Sequence, residues 1–246
     1  MIGPFLGTEF YANAGVGFHS NDARGITITR DPKTGAPADQ VTPLARARGA
    51  EAGMRTVAIP HLQSTVSLWS LNLDSELVFV GDAGTTQAGR PSRRYGVEFA
   101  NYYSPLHWLT LDADLSWSHA RFTDSEAAGD FIPGSVETVF SSGLTVDDIR
   151  GVFGSARVRY FGPRPLVEDD SVRSDATSLV NLAAGYKFTP NLRLVLDVFN
   201  LFDAEESDID YYYESRLPGE PGAGVEDLHF HPVLPRTARL GLTVAF

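Results

Sequence analysis

Apolar and polar side chains alternate strictly along several segments of this chain, and this period of two constrains the fold more than any other feature. The last nine residues show it: Ala238, Leu240, Leu242, Val244 and Phe246 are apolar, and Arg239, Gly241, Thr243 and Ala245 lie between them. Such alternation predicts a β-strand with one apolar face. The pattern recurs at residues 10–18, 109–118, 180–188 and 192–198, so we expect an all-β protein.

The alternation predicts about ten strands. They lie near residues 5–19, 49–59, 62–74, 94–103, 107–120, 136–146, 152–161, 177–188, 191–202 and 236–246. Short connections alternate with long polar ones near residues 20–48, 75–93, 121–135, 162–176 and 203–235. Tilted strands of this length can cross a bilayer, and turns that are short at one end and long at the other are typical of outer-membrane barrels. We therefore predict an antiparallel, up-and-down portion of a transmembrane β-barrel, with short periplasmic turns and long extracellular loops.

Two sets of side chains support the prediction of a membrane barrel with a polar lumen. The charged residues that we expect on one face, lining a wet lumen, are Asp112, Asp114, Arg157, Arg159, Lys187, Arg193 and Asp197. The aromatic residues that we expect in girdles at the membrane interfaces are Tyr102, Tyr103, Trp108, Tyr160, Phe161, Tyr186 and Phe188. The alternative is a soluble β-barrel, in which the Leu and Val face points inward as the core.

Composition excludes some functions. The net charge of the 246 residues is -11, and no basic stripe exists that could neutralise phosphates, so we expect no nucleic-acid partner. Cysteine is absent, which excludes thiol catalysis and cysteine metal sites. The sequence contains no apolar run of about 18 residues, and its first residues, MIGPFLGTEF, do not resemble a signal peptide.

The chain carries a family resemblance over essentially its whole length. DVFNLFD at 197–203, DIDYYYESRL at 208–217 and HFHPVLPRTARLGL at 229–242 resemble the end of a TonB-dependent outer-membrane receptor. SELVFVGDAGTT at 75–86, RRYGVEFANYY at 93–103 and RYFGPRPLVEDDSVRS at 159–174 resemble the same family. The resemblance implies that residues 1–246 form the C-terminal part of a receptor barrel in the cell outer membrane, for uptake of a scarce ligand such as a ferric siderophore.

The resemblance also implies partners. The terminal strand is similar to the signal that the barrel-assembly machinery reads, with Arg239, Gly241, Val244 and Phe246 as its elements. Receptors of this family are 22-stranded barrels with a plugged lumen. We recognise neither the plug domain nor the first barrel strands in this sequence, so we expect those N-terminal parts to be missing and TonB to act only through the absent plug. The other expected partner is outer-membrane lipid.

Candidate sites are few. Tyr211, Tyr212, Tyr213 and Arg216 form a possible ligand-contact loop, although aromatic residues there equally suit loop packing. The acidic stretch at 203–210 lacks the spacing of a calcium loop, which favours a solvated loop. His229 and His231 are too few for a metal site and favour a role in loop packing, so we expect no metal and no cofactor.

The alternative to a receptor is a complete small outer-membrane barrel. It predicts ten strands that close when the strand near residues 9–18 pairs with the last one, giving a passive pore or an omptin-like protease. Asp112 and Asp114 face the same way, and acids with a histidine can activate water. However, spacing cannot show convergent geometry, and these acids lie in mid-strand. We therefore expect that the protein is not an enzyme and has no catalytic residues.

Overall fold

The structure is a computed structural model that describes residues 1–21, 23–30, 35–38, 40–80 and 85–245, with only the backbone at 24, 77–80 and 85–88. The strands in this part of the chain are β1 (Ile2–Phe5), β2 (Thr8–Ser20), β3 (Leu44–Thr56), β4 (Leu62–Val80), β5 (Thr85–Leu106), β6 (Leu109–Phe122), β7 (Thr138–Ile149), β8 (Val152–Phe161), β9 (Thr177–Thr189), β10 (Leu192–Phe199), β11 (Ser207–Ser215), β12 (Val225–Pro232) and β13 (Thr237–Val244). One short helix, α1 (Ala23–Thr27), follows β2. No helix among these described residues is long and apolar enough to span a membrane.

Eleven of the strands form one antiparallel sheet in the order β1-β2-β3-β4-β5-β6-β7-β8-β9-β10-β13. The prediction of about ten long strands in an up-and-down arrangement is confirmed, since β2 to β10 and β13 match the ten predicted segments. β11 and β12 pair only with each other, in a hairpin inside the long segment between β10 and β13. The sequence predicts a long polar loop at 203–235, and this prediction is wrong where the two strands of the hairpin lie.

The connections alternate as predicted. Only a few residues join β3 to β4, β5 to β6, β7 to β8 and β9 to β10, all at one end of the sheet. The long segments 123–137, 162–176 and 200–236 lie at the other end. The predicted long loop at 75–93 is wrong, because β4 and β5 continue as a paired hairpin well beyond the other strands.

The register divides the sheet into a polar face and an apolar face. Asp197 pairs with Arg239 on one side and with Ala183 on the other, and Ala183 pairs with Ser155 on β8. Arg157 lies two positions from Ser155 on the same face, in register with Gly143 and Asp112. All seven charged residues predicted to share one face do so. The opposite face carries the apolar positions, which are exposed: Phe18 by 72%, Leu68 by 60% and Leu242 by 65%.

That exposure contradicts the soluble alternative, which required the Leu and Val face to point inward. A chain in water cannot leave so large a continuous apolar surface uncovered, whereas a chain in lipid must expose one. The described residues bury few large apolar side chains: Val41, Ala45, Ala120, Phe122, Ile132 and Leu166. All of them lie at the long-loop end, so the packed core of this protein lies there and not within the sheet.

The residues predicted for the aromatic girdles divide between the two faces of the sheet. Tyr103, Tyr160, Tyr186 and Phe188 lie on the apolar face, and the rings of Tyr186 and Phe188 meet edge to face at 4.9 Å. Tyr102 and Phe161 lie on the polar face, so the prediction is wrong for these two. A residue near a strand end reaches a girdle only if its place in the period-two pattern points it to lipid.

The sheet is open. β13 pairs with β10, and β2 pairs with β1 and β3; no pairing joins β13 to β2 among the described residues. The closed ten-strand barrel that the small-barrel alternative predicted is therefore wrong. β1 folds back along the first residues of β2, from Thr8 to Phe10, on the edge where β13 would have to pair.

Candidate functional site

A cleft of about 740 Å³ opens at the long-loop end of the sheet. The segments 123–137 and 162–176 form two of its walls, and the β11–β12 hairpin forms a third. Its lining is Arg90, Glu126, Ala128, Pro133, Gly134, Leu166, Val167, Glu168, Asp169, Ser171, Val172, Asp210, Tyr211, Tyr212, Tyr213 and Glu226. The volume lies within the usual range for small-molecule sites.

The two loop walls are fixed to each other by their backbones. The Phe131 amide donates to the Glu168 carbonyl at 3.0 Å, and the Gly134 amide donates to the Pro165 carbonyl at 2.8 Å. Gly129 has a φ of +116°, and a Cβ there would lie only 2.1 Å from the Glu168 carbonyl oxygen. Glycine is therefore required where the two loops approach each other, and the walls of the cleft are preformed.

Three of the four predicted ligand-contact residues line this cleft. Tyr211, Tyr212 and Tyr213 lie on β11, so they belong to a hairpin strand and not to an irregular loop. Tyr213 also stacks on His229 at 3.9 Å, which gives that histidine a packing role. Arg216 lies outside the cleft, and its side chain donates to the Glu220 carbonyl in the hairpin turn.

A buried ion pair attaches the hairpin to the neighbouring loop. Arg164 Nη2 donates to Asp210 Oδ2 at 2.9 Å, and the two side chains are only 9% and 4% exposed. The Thr177 hydroxyl adds a hydrogen bond to the Ser207 carbonyl at 2.6 Å. These contacts fix the tyrosine-bearing strand against the 162–176 loop, because breaking them would leave buried charges unpaired.

The NLFD motif organises the base of the same hairpin. Asn200 Nδ2 donates to the Ala204 and Leu234 carbonyls at 3.0 and 3.1 Å, and its Oδ1 accepts from the Ala204 amide at 2.9 Å. Asp203 Oδ1 accepts from the Arg236 amide at 2.8 Å. The motif thus joins the two ends of the 200–236 segment.

Arg90 is the central cation of the cleft. Its guanidinium donates twice to Asp124 Oδ1, at 2.7 and 2.9 Å, and donates to Glu168 at 2.5 Å. Glu126 lies 3.8 Å away, and the Phe122 ring lies under the guanidinium at 4.3 Å. Because these partners surround it, the side chain is only 9% exposed, and it connects β5 to both loop walls.

The carboxylates around Arg90 respond differently to it. The hydrogen bonds from Arg90 hold the pKa of Asp124 below its ordinary value. Burial raises the pKa of Glu168; Arg90 offsets part of that rise, and the nearby Glu126 adds to it. Hydrogen bonds from the Ser171 amide and hydroxyl lower the pKa of Asp169. Arg90 therefore lowers the pKa of Asp124, whereas at Glu168 it only offsets part of the rise that burial causes.

The acids considered for catalysis lie on the polar face of the sheet. Arg157 Nη2 donates to Asp112 at 2.8 Å across the intervening strand, and Asp114 lies beside this pair in a smaller cavity of about 340 Å³. His229 and His231 belong to the hairpin β12, beyond the strand ends. The structure therefore does not bring the acids and the histidines into one constellation. No group of three or more His, Asp or Glu side chains in the described ranges converges as metal ligands do.

The residues of the predicted assembly signal lie on or beyond β13. Arg239 donates to Asp197 on β10 at 2.9 Å, and Gly241 shares its polar face. Val244 lies on the apolar face and is 48% exposed. Phe246 lies outside the described residues. Arg239 therefore has a structural partner within the sheet, whether or not another protein recognises the strand.

Sequence reasoning missed the residues that build the cleft. Arg90 falls within a predicted loop but belongs to β5, and Arg164 lies in a motif whose role its letters do not show. Asp203 and Asp210 belong to a stretch predicted as a solvated acidic loop, yet each has a specific partner. The one available signal was Arg164 between two prolines, where a rigid turn would hold its side chain in place.

Comparison with known proteins agrees with this architecture. The family model described as TonB dependent receptor-like, beta-barrel matches residues 5–201. The copper transporter OprC covers 97% of this chain with a TM-score of 0.71 and 18% identity, and the match takes up 37% of OprC. The siderophore receptor PiuA from Acinetobacter baumannii is also similar, with a TM-score of 0.71 and 13% identity; the match covers 98% of this chain and 34% of PiuA. The closed form of the ferric-catecholate import receptor Fiu from E. coli K12 has a TM-score of 0.67 and 18% identity, and the match covers 97% of this chain and 33% of Fiu.

Comparison with curated protein sequences gives no match. The chain spans about a third of the length of the similar structures, and at these identities the likeness shows the fold alone. The family model, in contrast, covers most of the chain. This chain belongs to the TonB-dependent receptor-like β-barrel family.

Proposed function

We propose that this chain forms part of the wall and the outer ligand-binding surface of an outer-membrane TonB-dependent receptor, for uptake of a scarce ligand of the ferric siderophore class. The observation that carries the proposal is the preformed cleft at the long-loop end, with three tyrosines on one wall. Aromatic side chains in a rigid concave site provide large contact area at low entropic cost. The apolar face of the sheet supports an outer-membrane location.

We propose that the remaining strands of the barrel belong to a part of the receptor outside this sequence. The chain covers about a third of the similar structures, and an open sheet edge in lipid would leave backbone groups unpaired. We propose that further strands and a plug complete the receptor, that TonB acts through that plug, and that the barrel-assembly machinery recognises β13. In this arrangement the chain binds and admits a ligand without catalysing a reaction.

The test is ligand binding by the protein extracted in detergent from outer membranes, in the length that the cell makes. Isothermal titration with a panel of ferric hydroxamate, catecholate and carboxylate complexes is expected to find at least one that binds. Tyr212→Ala should weaken binding about tenfold, because the cleft loses one aromatic wall residue. Arg216→Ala is the matched control, since Arg216 lies on the same hairpin but outside the cleft.

If no complex binds, or if both variants bind as the parent does, the cleft is not the ligand site. Recovery of the protein in the soluble fraction would contradict the proposed location.

A further inference from the structure

We propose that the cleft selects a ligand of net positive charge and rejects polyanionic complexes. This inference rests on the proposed function, since it specifies the ligand class of the same site. The cavity and its tyrosines define the site, and the charges of the lining define what enters it. The selectivity depends on how many of those charges remain unpaired.

The arginines at the cleft already form ion pairs with carboxylates of the protein. Arg90 contacts three carboxylates, and Arg164, behind the hairpin, is paired with Asp210. Both side chains are only 9% exposed, so neither can turn towards a ligand without leaving a buried carboxylate alone. Among the lining residues, Arg90 is the one cation. A polyanionic ligand would therefore find no free guanidinium or ammonium group on these walls.

The carboxylates of the cleft, in contrast, outnumber the cations that could pair with them. Glu126 is 57% exposed and reaches Arg90 only at 3.8 Å. Glu226 on β12 is exposed and makes no ion pair within the described part of the chain. Asp169 takes its hydrogen bonds from Ser171 and has no cationic partner there either. These carboxylates stand on all three walls, so a ligand in the cleft is surrounded by negative charge.

The remaining lining suits a cation with an apolar body. Tyr211, Tyr212 and Tyr213 line the cleft, and cations are attracted to the faces of such rings, although one face of Tyr213 is covered by His229. Leu166, Val172 and Pro133 supply apolar contact on the opposite walls. Charge and aromatic surface therefore favour the same ligand, an amphipathic cation of a size that fills about 740 Å³.

The likeness to known structures does not oppose this assignment. One of the similar proteins, Fiu, is a ferric-catecholate import receptor, and ferric tris-catecholates are polyanions. That likeness is one of fold at 18% identity, whereas the charge of a cleft depends on side chains of individual loops. The loops of this chain suit a positively charged ligand.

A matched pair of probes tests the inference directly. The first probe is a ferric tris-hydroxamate that carries a free ammonium group, and the second is the same complex with that amine acetylated. They differ in one positive charge and hardly in shape. Using the detergent-extracted protein at low salt, we expect the ammonium form to bind about tenfold more tightly than the acetylated form. Raising the salt concentration should reduce this preference.

Variants assign the preference to the cleft. In the double variant Glu126→Gln, Glu226→Gln, the preference for the ammonium form over the acetylated form should fall to about twofold or less. Glu205→Gln is the control, because Glu205 is an exposed acid of the same 200–236 segment that does not line the cleft. It should leave the preference unchanged.

The outcomes separate the two proposals. If neither these probes nor any ferric hydroxamate, catecholate or carboxylate complex of the wider panel binds, the receptor function itself fails. If the acetylated or the tris-catecholate complex binds as tightly as the ammonium form, the receptor function stands and the charge selection is wrong. A preference that survives in the double variant also overturns it, because the cleft acids would then not be its source.

Discussion

Arg164 and Asp210 form a 2.9 Å ion pair between the 162–176 loop and β11, and both side chains are almost fully buried. Asp210 directly precedes the tyrosines that line the cleft. The pair therefore sets the position of the aromatic wall relative to the other two walls. It is a positioning contact, since the side chains that would touch a ligand are those of Tyr211 and its neighbours.

Breaking this pair should release the hairpin. We expect Arg164→Leu to destabilise its attachment by about 3–5 kcal/mol, because Asp210 is left buried and unpaired. Hydrogen exchange should rise in β11 and β12, ligand affinity should fall, and the melting of the main sheet should change little. The double variant Arg164→Leu, Asp210→Leu should recover much of the protection, since it leaves no buried charge. Unchanged exchange in Arg164→Leu would show that other contacts hold the hairpin.

Asp124 and Glu168 are the two main partners of Arg90, and their contributions to stability should change with pH in opposite directions. The pKa of Asp124 is lowered in the folded protein, so its contribution is present above its unfolded pKa and is lost as pH falls through the folded pKa. The pKa of Glu168 is raised, so the folded state binds its proton more tightly and loses stability as pH rises between the unfolded and folded values.

Two isosteric variants separate these contributions. At pH 7, Asp124→Asn should increase hydrogen exchange in the cleft loops, and that effect should disappear in acid, once the parent's carboxyl is also protonated. Glu168→Gln should mimic the protonated parent and remove the loss of stability that the parent shows as pH rises above the ordinary glutamate pKa. If both variants changed hydrogen exchange equally at every pH, the opposite pKa shifts of Asp124 and Glu168 would be contradicted.

The sheet could be predicted from sequence because its signal is local and repeated. Period-two alternation identified ten strands and put seven charged residues on one face, and pairing register needs nothing more than such a pattern and short turns. The hairpin β11–β12 could not be found in this way. Its stability comes from contacts such as Arg164 with Asp210, which join residues 46 positions apart.

The cleft was only partly predictable for the same reason. Tyrosines in a loop suggested ligand contact, and three of them line the cleft. Arg216 was included because arginine beside aromatic residues suits ligand contact, but it follows the end of β11 and lies outside the cleft. Arg90 could not be assigned, because its role depends on Asp124 and Glu168 from two separate loops, and no single-sequence pattern reports such a meeting.

Asn200 should be the most sensitive residue of the hairpin base. It adopts a φ of +49°, which asparagine tolerates better than most residues, and its side chain makes three hydrogen bonds to backbone groups. We expect Asn200→Ala to cost about 2–4 kcal/mol through these bonds and the strained backbone. Asn200→Gly should cost less, since it relieves the backbone but not the lost bonds. Local exchange at residues 200–206 and 233–237 measures both effects.

The two faces of β6 should tolerate charge differently. Leu115 lies on the apolar face and is 43% exposed, and Ser116 lies on the polar face opposite Glu98. Leu115→Arg should destabilise the protein in lipid vesicles by about 2–4 kcal/mol if that face meets the membrane interior. Ser116→Arg, one position away, should be nearly neutral. Urea unfolding followed by tryptophan fluorescence gives both values, and equal tolerance would contradict the assignment of the lipid face.

Gly143 should be the residue of β7 least able to accept a side chain. It lies between Asp112 on β6 and Arg157 on β8, and their ion pair passes over it. A Cβ at this position would lie 2.6 Å from both Arg157 Nη2 and Asp112 Oδ1. The two side chains must then separate, and Asp112 Oδ2 already has no hydrogen-bond partner within the described part of the chain.

We therefore expect Gly143→Ala to destabilise the sheet by about 1–2 kcal/mol, a modest cost because Arg157 remains partly exposed and can move. Gly15→Ala is the matched control: Gly15 lies on the same polar face, and a Cβ there meets nothing within 4 Å. In an Asp112→Ala, Arg157→Ala background the cost of Gly143→Ala should largely disappear, because the contacts that it disrupts are gone. An equal cost in both backgrounds would mean that Gly143 is needed for its backbone and not for the ion pair above it.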